Sequence, residues 1–245
     1  MTPAKAKGLI AGHSHVLFDN EIWKVKRILT LAEALPPRRP QYLLESVEKG
    51  HLKTIFVSAS EMTWLKQYPI SLLFKFPKPH QRKGQLTNFI TSYHKGTKIH
   101  TIRLGYDNWA RRIKEIQEGK AVLSVYTWSG TPYKSKQIKC FQLTRHDGVG
   151  VERAEWTKCP MRNCHLIRLL TDNSFKNIAT VAPNDGLSES DFLNWFDKTP
   201  IGQDLSIIHF TKFRYDHRST KFRFETHCNE YTEEEYNGII QNLKT

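Results

Sequence analysis

The first quarter of the chain alternates apolar and polar positions over short stretches, which is the period of β-strands. These stretches are "HVLF", "EIWKVKRIL", "QYLLESV" and "KTIFVSASEM", all between residues 15 and 65. Asp19-Asn20 between the first two is typical of a hairpin turn, and the prolines of "LPPRRP" (35–40) place that segment in a loop. Four or five short strands with tight turns predict a small SH3-like β-barrel over residues 12–68.

Beyond residue 69 the pattern mixes strands with helices. A helix is expected at about 86–94, "LTNFITSYH", followed by an alternating strand from Lys98. In "DNWARRIKEIQEGK" the residues Trp109, Ile113 and Ile116 recur at helical spacing, and Gly119 is suited to end the helix.

The remaining segments predict more strands and two further helices. "AVLSVYTWSG" and "KQIKCFQLTRH" form a strand pair around "SGTPYKS", and "LSIIHFTKFRY" is a long strand. "SESDFLNWF" (188–196) is a helix in which Ser188 and Asp191 form a variant of the capping box. One strand and a capped helix are expected in a C-terminal extension, 216–245. The fold class is therefore α+β and rich in strands, with a second domain at 69–215.

The charge of the chain indicates a polyanionic partner. Lys and Arg number 37 against 24 Asp and Glu, a net charge of +13. The basic residues alternate with aromatic ones, as in "KFPKPHQRKG" and "HFTKFRYDHRSTKFRF", which suits a surface that meets phosphates and stacks on bases. Strands with buried rings and solvated lysines would give the same pattern. No stretch resembles a signal peptide or a membrane span, so we expect a cytoplasmic protein with no membrane partner.

No cofactor or metal is expected. The four cysteines are expected to be thiols. "CPMRNCH" (159–165) has a Cys-x4-Cys-His spacing that is not a standard zinc knuckle, and a fourth ligand would have to come from Cys140, His146 or the distant His227-Cys228. The P-loop, Rossmann, Gly-x-Ser-x-Gly and His-Glu-x-x-His motifs are absent from the sequence.

Two motifs resemble those of the ASCH family, a branch of the PUA-like β-barrels linked to RNA and modified nucleosides. "GTKIHTIR" matches a Gly-x-Lys-x-x-Thr-x-Arg turn and strand through Gly96, Lys98, Thr101 and Arg103, and Asp185-Gly186 matches an acidic-Gly turn before a capped helix. The resemblance covers about residues 70–215 and implies a PUA-like mixed β-barrel with flanking helices. The segment 145–178 is a long insert relative to compact members of the family.

The resemblance also implies a catalytic set. Some small ASCH proteins hydrolyse the amide of acylated cytidines with a Lys, a Thr and a later Glu, which correspond here to Lys98, Thr101 and Asp185. The acid is one methylene shorter, and the alternative alignment puts Asn184 at its position. A buried lysine can serve as nucleophile or base, but a straight strand would turn Lys98 and Thr101 to opposite faces, so the chain must bend near Lys98. A solvated lysine at the start of a strand is the alternative.

Other basic and aromatic residues are candidates for contact with nucleic acid. Arg103 offers a planar fork for phosphate or a base edge on the same face as Thr101, or an ion pair with Asp185. His100 shares a face with Ile102 and is expected to be structural. The remaining candidates lie on the polar side of a helix or in the "YTWSGTPYKSKQ" hairpin, each with a solvated or packed surface as the alternative: Arg111, Arg112, Trp128, Tyr133, Lys134 and Lys136. Lys98 belongs to this binding set as well.

Three functions are compatible with the sequence. The main hypothesis is a nucleic-acid-binding protein that holds RNA or a modified nucleotide in a basic cleft. The second is an amidohydrolase of an acylated cytidine or related base. The third is a non-catalytic interaction protein of a larger assembly, for which the N-terminal domain and its "PPRRP" loop offer a surface for a protein partner.

Overall fold

The computed structural model of the protein describes residues 15–18, 21–29, 41–46, 52–55, 63–159 and 164–215, without the side chains of 26–29, 41–44 and 52–55. Thirteen strands and four α-helices lie in this part of the chain. The strands are β1 His15–Phe18, β2 Glu21–Leu29, β3 Gln41–Ser46, β4 Leu52–Ile55, β5 Thr63–Trp64, β6 Lys66–Ser71, β7 His100–Leu104, β8 Ala121–Trp128, β9 Gln137–Leu143, β10 Gly150–Lys158, β11 His165–Leu169, β12 Phe175–Asn177 and β13 Gln203–His209. The helices are α1 Phe89–His94, α2 Tyr106–Gln117, α3 Ile178–Asn184 and α4 Glu189–Trp195.

The chain divides into two compact units. The first contains the described residues up to Ile70 together with 112–126 and 139–149, and the second contains 71–111, 127–138 and the described residues from Gly150 onward. The predicted domain boundary at 68/69 lies two residues before the point, Ile70 to Ser71, at which the chain first passes from the first unit to the second. The sequence did not indicate that two later segments return to the first unit.

In the first unit, five strands form one antiparallel sheet in the order β4-β3-β2-β1-β5. The predicted hairpin is confirmed, since Phe18 of β1 pairs with Glu21 of β2. Most residues of a second sheet, with the strand order β6-β8-β9, also belong to this unit. Ile22, Leu65 and Val122 form a buried cluster in this unit, and burial of such side chains is the main force that stabilises a fold of this kind.

In the second unit, five strands form an antiparallel sheet in the order β12-β11-β10-β13-β7. The segment 145–178, which the sequence presents as an insert, contributes β10, β11 and β12 to it. β10 pairs with β11 on one side and with β13 on the other, from Gly150↔His209 to Trp156↔Gln203. This segment therefore supplies three of the five strands, from the central strand β10 to the edge strand β12.

The helices largely follow the sequence pattern. The helix at 107–120 is confirmed as α2, with Ile113 and Ile116 buried. The cap of α4 is also confirmed, because the Asp191 amide donates to Ser188 Oγ at 3.1 Å. α1 begins only at Phe89, three residues later than expected. α3 was not predicted, since a proline at its penultimate position, Pro183, obscures the helical pattern.

The structure confirms an α+β, strand-rich fold. In the described part of the chain, each of the three sheets has two open edges and none closes into a barrel, so the PUA-like and SH3-like barrels stay predictions. The loop 35–40, the "CPMRNCH" residues 160–163 and the extension 216–245 lie outside the described residues.

Candidate functional site

The bend required near Lys98 lies between α1 and β7. After the helix, Gly96 takes a left-handed backbone conformation (φ 74°), which glycine adopts without steric cost. The amides of Thr97 and Lys98 then both donate to the Ser92 carbonyl, at 2.9 and 3.1 Å. Because β7 starts only at His100, Lys98 precedes the strand, and strand alternation does not govern the direction of its side chain.

Lys98 and Asp185 form a buried pair. Asp185 caps the C-terminus of α3, and Gly186 follows with φ 76°. Lys98 Nζ donates to Asp185 Oδ1 at 2.6 Å and to the Asp185 carbonyl at 2.5 Å, with relative side-chain exposures of 0% for Lys98 and 7% for Asp185. Nζ also lies 4.3 Å from the centre of the Phe89 ring, so its charge meets both a carboxylate and a π face.

Burial acts on both members of this pair. It lowers the pKa of Lys98, while the Asp185 carboxylate opposes that shift. It raises the pKa of Asp185, against the opposing effects of Lys98, Arg103 and a hydrogen bond from Thr101. Each group therefore depends on its partner to carry charge inside the protein.

Thr101 and Arg103 lie on one face of β7, as the alternation predicted. Arg103 Nη1 donates to Thr101 Oγ1 at 2.8 Å and to the Ile102 carbonyl at 2.7 Å. Nη2 donates to the Ser71 carbonyl at 2.5 Å. These contacts fix the guanidinium across the floor of the site, and its charge helps to hold the pKa of Asp185 down.

A cavity of about 320 Å³ opens over these residues. The polar residues of its lining are Ser71, Thr101, Arg103 and Asp185. Four aromatic residues, from α1, the C-terminal end of α4 and the β8–β9 loop, belong to its apolar lining. The apolar residues are Leu73, Phe89, Ile102, Pro132, Tyr133, Trp195 and Phe196. The volume lies at the low end of the range for small-molecule sites, about 300–1,000 Å³.

The β8–β9 loop presents a ring at the mouth of this cavity. Tyr133 is 86% exposed and has a left-handed backbone (φ 64°), which is uncommon for a residue with a side chain. Its ring lies 5.3 Å from that of Trp128. Ser135 Oγ holds the turn by accepting from the Gly130 amide at 2.9 Å and donating to the Thr131 carbonyl at 2.9 Å. Lys134 and Lys136 are exposed on the same loop.

Two buried histidines lie behind Asp185. His100 Nε2 is 2.9 Å from the Tyr215 hydroxyl, which also accepts from Asn184 Nδ2 at 2.8 Å. His209 Nε2 is 2.5 Å from Glu152 Oε2, an oxygen that also accepts from the Tyr215 amide at 2.9 Å. Burial lowers the pKa of both histidines, although Glu152 opposes the shift of His209. His100 is fully buried and lies between Asp185 and Tyr215, and its structural role stays a prediction.

The structure brings together part of the predicted set. Thr101, Arg103, Tyr133 and Asp185 line the cavity. Lys98 lies behind Asp185 and is not among the lining residues. Arg111 is exposed on α2, whereas the Arg112 guanidinium in the first unit lies 5.6 Å from the centre of the Tyr68 ring.

Several residues of the site escaped the sequence analysis. Phe89, Trp195 and Phe196 are apolar residues in helices, a pattern that equally predicts an ordinary core. Tyr215 has no motif of its own. Asn184 entered the sequence analysis only as the alternative position for the acid. The capped helix that starts in "LSESD" is the signal that could have directed attention to Trp195 and Phe196.

Two further observations concern metals and membranes. Within the described ranges, no group of three or more His, Cys, Asp or Glu side chains is placed to hold a metal ion. The helices described here are all too short or too polar to cross a membrane.

We compared the chain with protein-family models, with curated proteins and with solved structures. None of the three comparisons gave a match.

Proposed function

We propose that this protein binds nucleic acid, RNA or a modified nucleotide, and takes one base into the cavity above Thr101, Arg103 and Asp185. The observation that carries the proposal is the combination of aromatic walls with a floor that holds both a guanidinium and a carboxylate. Rings stack on the faces of a base and polar floor groups bond to its edge, which is how unpaired bases are recognised.

The size and the surroundings of the cavity support this proposal. A volume of about 320 Å³ suits one nucleoside-sized group. The exposed ring of Tyr133 at the mouth could stack on a neighbouring base, and Lys134 and Lys136 would meet the phosphates on either side. The net charge of +13 favours association with a polyanion.

The proposal also assigns each of the two units to a type of fold. The second unit would be an ASCH/PUA-like barrel, on the resemblance of Gly96, Lys98, Thr101, Arg103 and Asp185-Gly186 to the family motifs. The sheet of β1–β5 would be the core of an SH3-like module, which adds phosphate contacts or binds a protein.

The test is binding of labelled RNA and DNA hexanucleotides at two salt concentrations. Binding should weaken steeply as salt rises, because phosphate contacts release counterions. Arg103→Ala should weaken binding at both concentrations, whereas Arg153→Ala, which removes a half-exposed arginine outside the cavity lining, should not. Absence of binding at low salt would reject the proposal and favour an interaction protein, which a pull-down would then examine.

A second candidate function, an amidohydrolase of an acylated cytidine, is favoured by one observation. Of the residues that the ASCH resemblance implies, Lys98 donates to Asp185, and both Lys98 and Thr101 help to hold the pKa of Asp185 down. Water would add to the acyl carbon, and the carbon–nitrogen bond would break to give a carboxylate and the free amino base. Asp185 could accept the proton of that water, and Thr101 could orient the amide.

N4-acetylcytidine offered as substrate tests this candidate. Thr101→Val is the suitable variant, because it removes the hydroxyl and leaves the Lys98–Asp185 pair in place. Turnover in the wild type that is lost in Thr101→Val would support hydrolysis. No turnover under conditions in which the nucleoside binds would leave binding as the function.

A further inference from the structure

The Asp185 carboxylate accepts from a buried cation. Lys98 Nζ donates to Oδ1 at 2.6 Å and to the Asp185 carbonyl at 2.5 Å. The Thr101 side chain helps to hold the pKa of Asp185 down, and Thr101 Oγ1 accepts from Arg103 Nη1 at 2.8 Å. Asp185 therefore serves as an acceptor inside the protein.

His100 turns a ring nitrogen towards Asp185, beyond hydrogen-bond distance, and is oriented by a chain of hydrogen bonds on its other side. Asn184 Nδ2 donates to the Tyr215 hydroxyl at 2.8 Å, so the hydroxyl hydrogen is directed to His100 Nε2 at 2.9 Å. A neutral imidazole that accepts at Nε2 carries its hydrogen on Nδ1. Nδ1 lies 3.9 Å from Asp185 Oδ1 and has no hydrogen-bond partner among the described residues.

We infer that Asp185 selects a base that carries an exocyclic amino group over the same base with an oxo group, and that Tyr215, through His100, is a positioning residue for this acceptor. The inference rests on the proposed function. Oδ1 is engaged by Lys98, which leaves Oδ2 for a ligand in the cavity that Asp185 lines. An amino group donates to that oxygen in a charge-assisted hydrogen bond. An oxo group would place a second acceptor against it and leave both unpaired.

Cytosine and uracil provide the test pair: C4 carries an amino group in cytosine and an oxo group in uracil, and N3 accepts in cytosine and carries a hydrogen in uracil. We would measure the dissociation constants of C6 and U6 ribohexanucleotides, which carry the same number of phosphates, at one salt concentration. The wild type should bind C6 about five-fold or more tightly than U6, the lower end of the discrimination by a well-placed polar contact.

Asp185→Asn should bring the ratio of the two constants close to one, because an amide can turn either its oxygen or its nitrogen to the base. Asp197→Asn is the control, since it removes the same charge from an exposed position of the same unit. A wild-type ratio near one, or a ratio kept by Asp185→Asn, would overturn the inference while the proposed function stands. Binding of neither oligonucleotide would overturn the proposed function itself.

Tyr215→Phe tests the positioning part and applies even if Asp185→Asn fails to fold. It removes one hydroxyl and keeps the ring. In the wild type, the 15N shifts of His100 should show the hydrogen on Nδ1, and Tyr215→Phe should lose this preference and lower the C6/U6 ratio several-fold. An Nε2-bound hydrogen in the wild type, or an unchanged ratio in a folded Tyr215→Phe variant, would show that Tyr215 does not position the acceptor.

Discussion

Lys98 Nζ lies 2.6 Å from Asp185 Oδ1, with almost no exposure of either side chain to solvent. The two residues come from distant parts of the sequence, the turn after α1 and the end of α3, and their contact ties these segments together. The same contact decides how Asp185 meets a ligand, because it engages one of the two carboxylate oxygens.

Loss of the lysine charge should destabilise the second unit strongly. Lys98→Met keeps most of the aliphatic stem and leaves the Asp185 carboxylate buried without its cation. Breaking a buried pair from one side costs about 3–5 kcal/mol. Urea unfolding should show a loss of this size, and Lys98→Met/Asp185→Asn should lose less than the single variant. A change below about 1 kcal/mol in Lys98→Met would contradict this account of the pair.

The contact between Lys98 and Asp185 also shows how far the sequence could predict the site. The motif "GTKIHTIR" and the turn Asp185-Gly186 indicated that the residues belong together, and the strand period placed Thr101 and Arg103 on one face. The direction of Lys98 could not be predicted, because it depends on two backbone hydrogen bonds to Ser92. Sequence pattern alone does not reveal which carbonyl accepts the hydrogen bonds of such a turn.

The sequence predicted the fold correctly where the pattern depends on neighbouring residues. The prediction failed where an element depends on residues that are distant in sequence. The hairpin at Asp19-Asn20 and the cap at Ser188 follow from neighbouring residues. The strand β10 alternates in burial, but "GVERAEWTK" carries four charged residues that suggest an exposed segment. One of them, Glu152, is buried against His209, and that partner is distant in sequence.

The buried histidines should make stability depend on pH. Burial holds the pKa of His100, beside Lys98, Asp185, His209 and Tyr215, well below 6.5. In the unfolded chain the ring regains an ordinary pKa and binds a proton below about pH 6.5, whereas the folded state does not. The contribution of the buried histidine to the free energy of unfolding is therefore complete above about pH 6.5. It decreases as the pH falls, by up to about 1.4 kcal/mol per pH unit for one histidine.

Urea unfolding of the wild type between pH 7.5 and pH 5 measures this slope. His100→Gln should reduce it, and His94→Gln, which changes an exposed ring in the same unit, should keep it. Equal slopes in His100→Gln and the wild type would assign the pH dependence to other groups.

A side chain at Gly150 should disturb the start of β10. A Cβ placed there would overlap the Arg214 guanidinium, which donates to the carbonyls of Thr211 and Phe213. Gly150→Ala should therefore lower the free energy of unfolding by about 0.5–1.5 kcal/mol, because the arginine must turn away and give up these hydrogen bonds. In Gly130→Ala the new Cβ would meet Ser135 at 3.5 Å, an ordinary contact, so this variant should be close to the wild type. Thermal unfolding of both variants checks the difference.

The exposed lysines of the β8–β9 loop should contribute to affinity through phosphates alone. Lys134→Ala/Lys136→Ala removes two charges beside Tyr133 and leaves the cavity lining unchanged. Each phosphate contact adds about one to the slope of log K against log salt concentration, somewhat less for single strands. The double variant should bind C6 and U6 more weakly by a similar factor, with a slope lower by about 1.4. Exposed Lys95 and Lys198 in the same unit, changed together to Ala, provide the charge-matched control. An equal fall in slope for both double variants would mean that general charge, and not this loop, meets the phosphates.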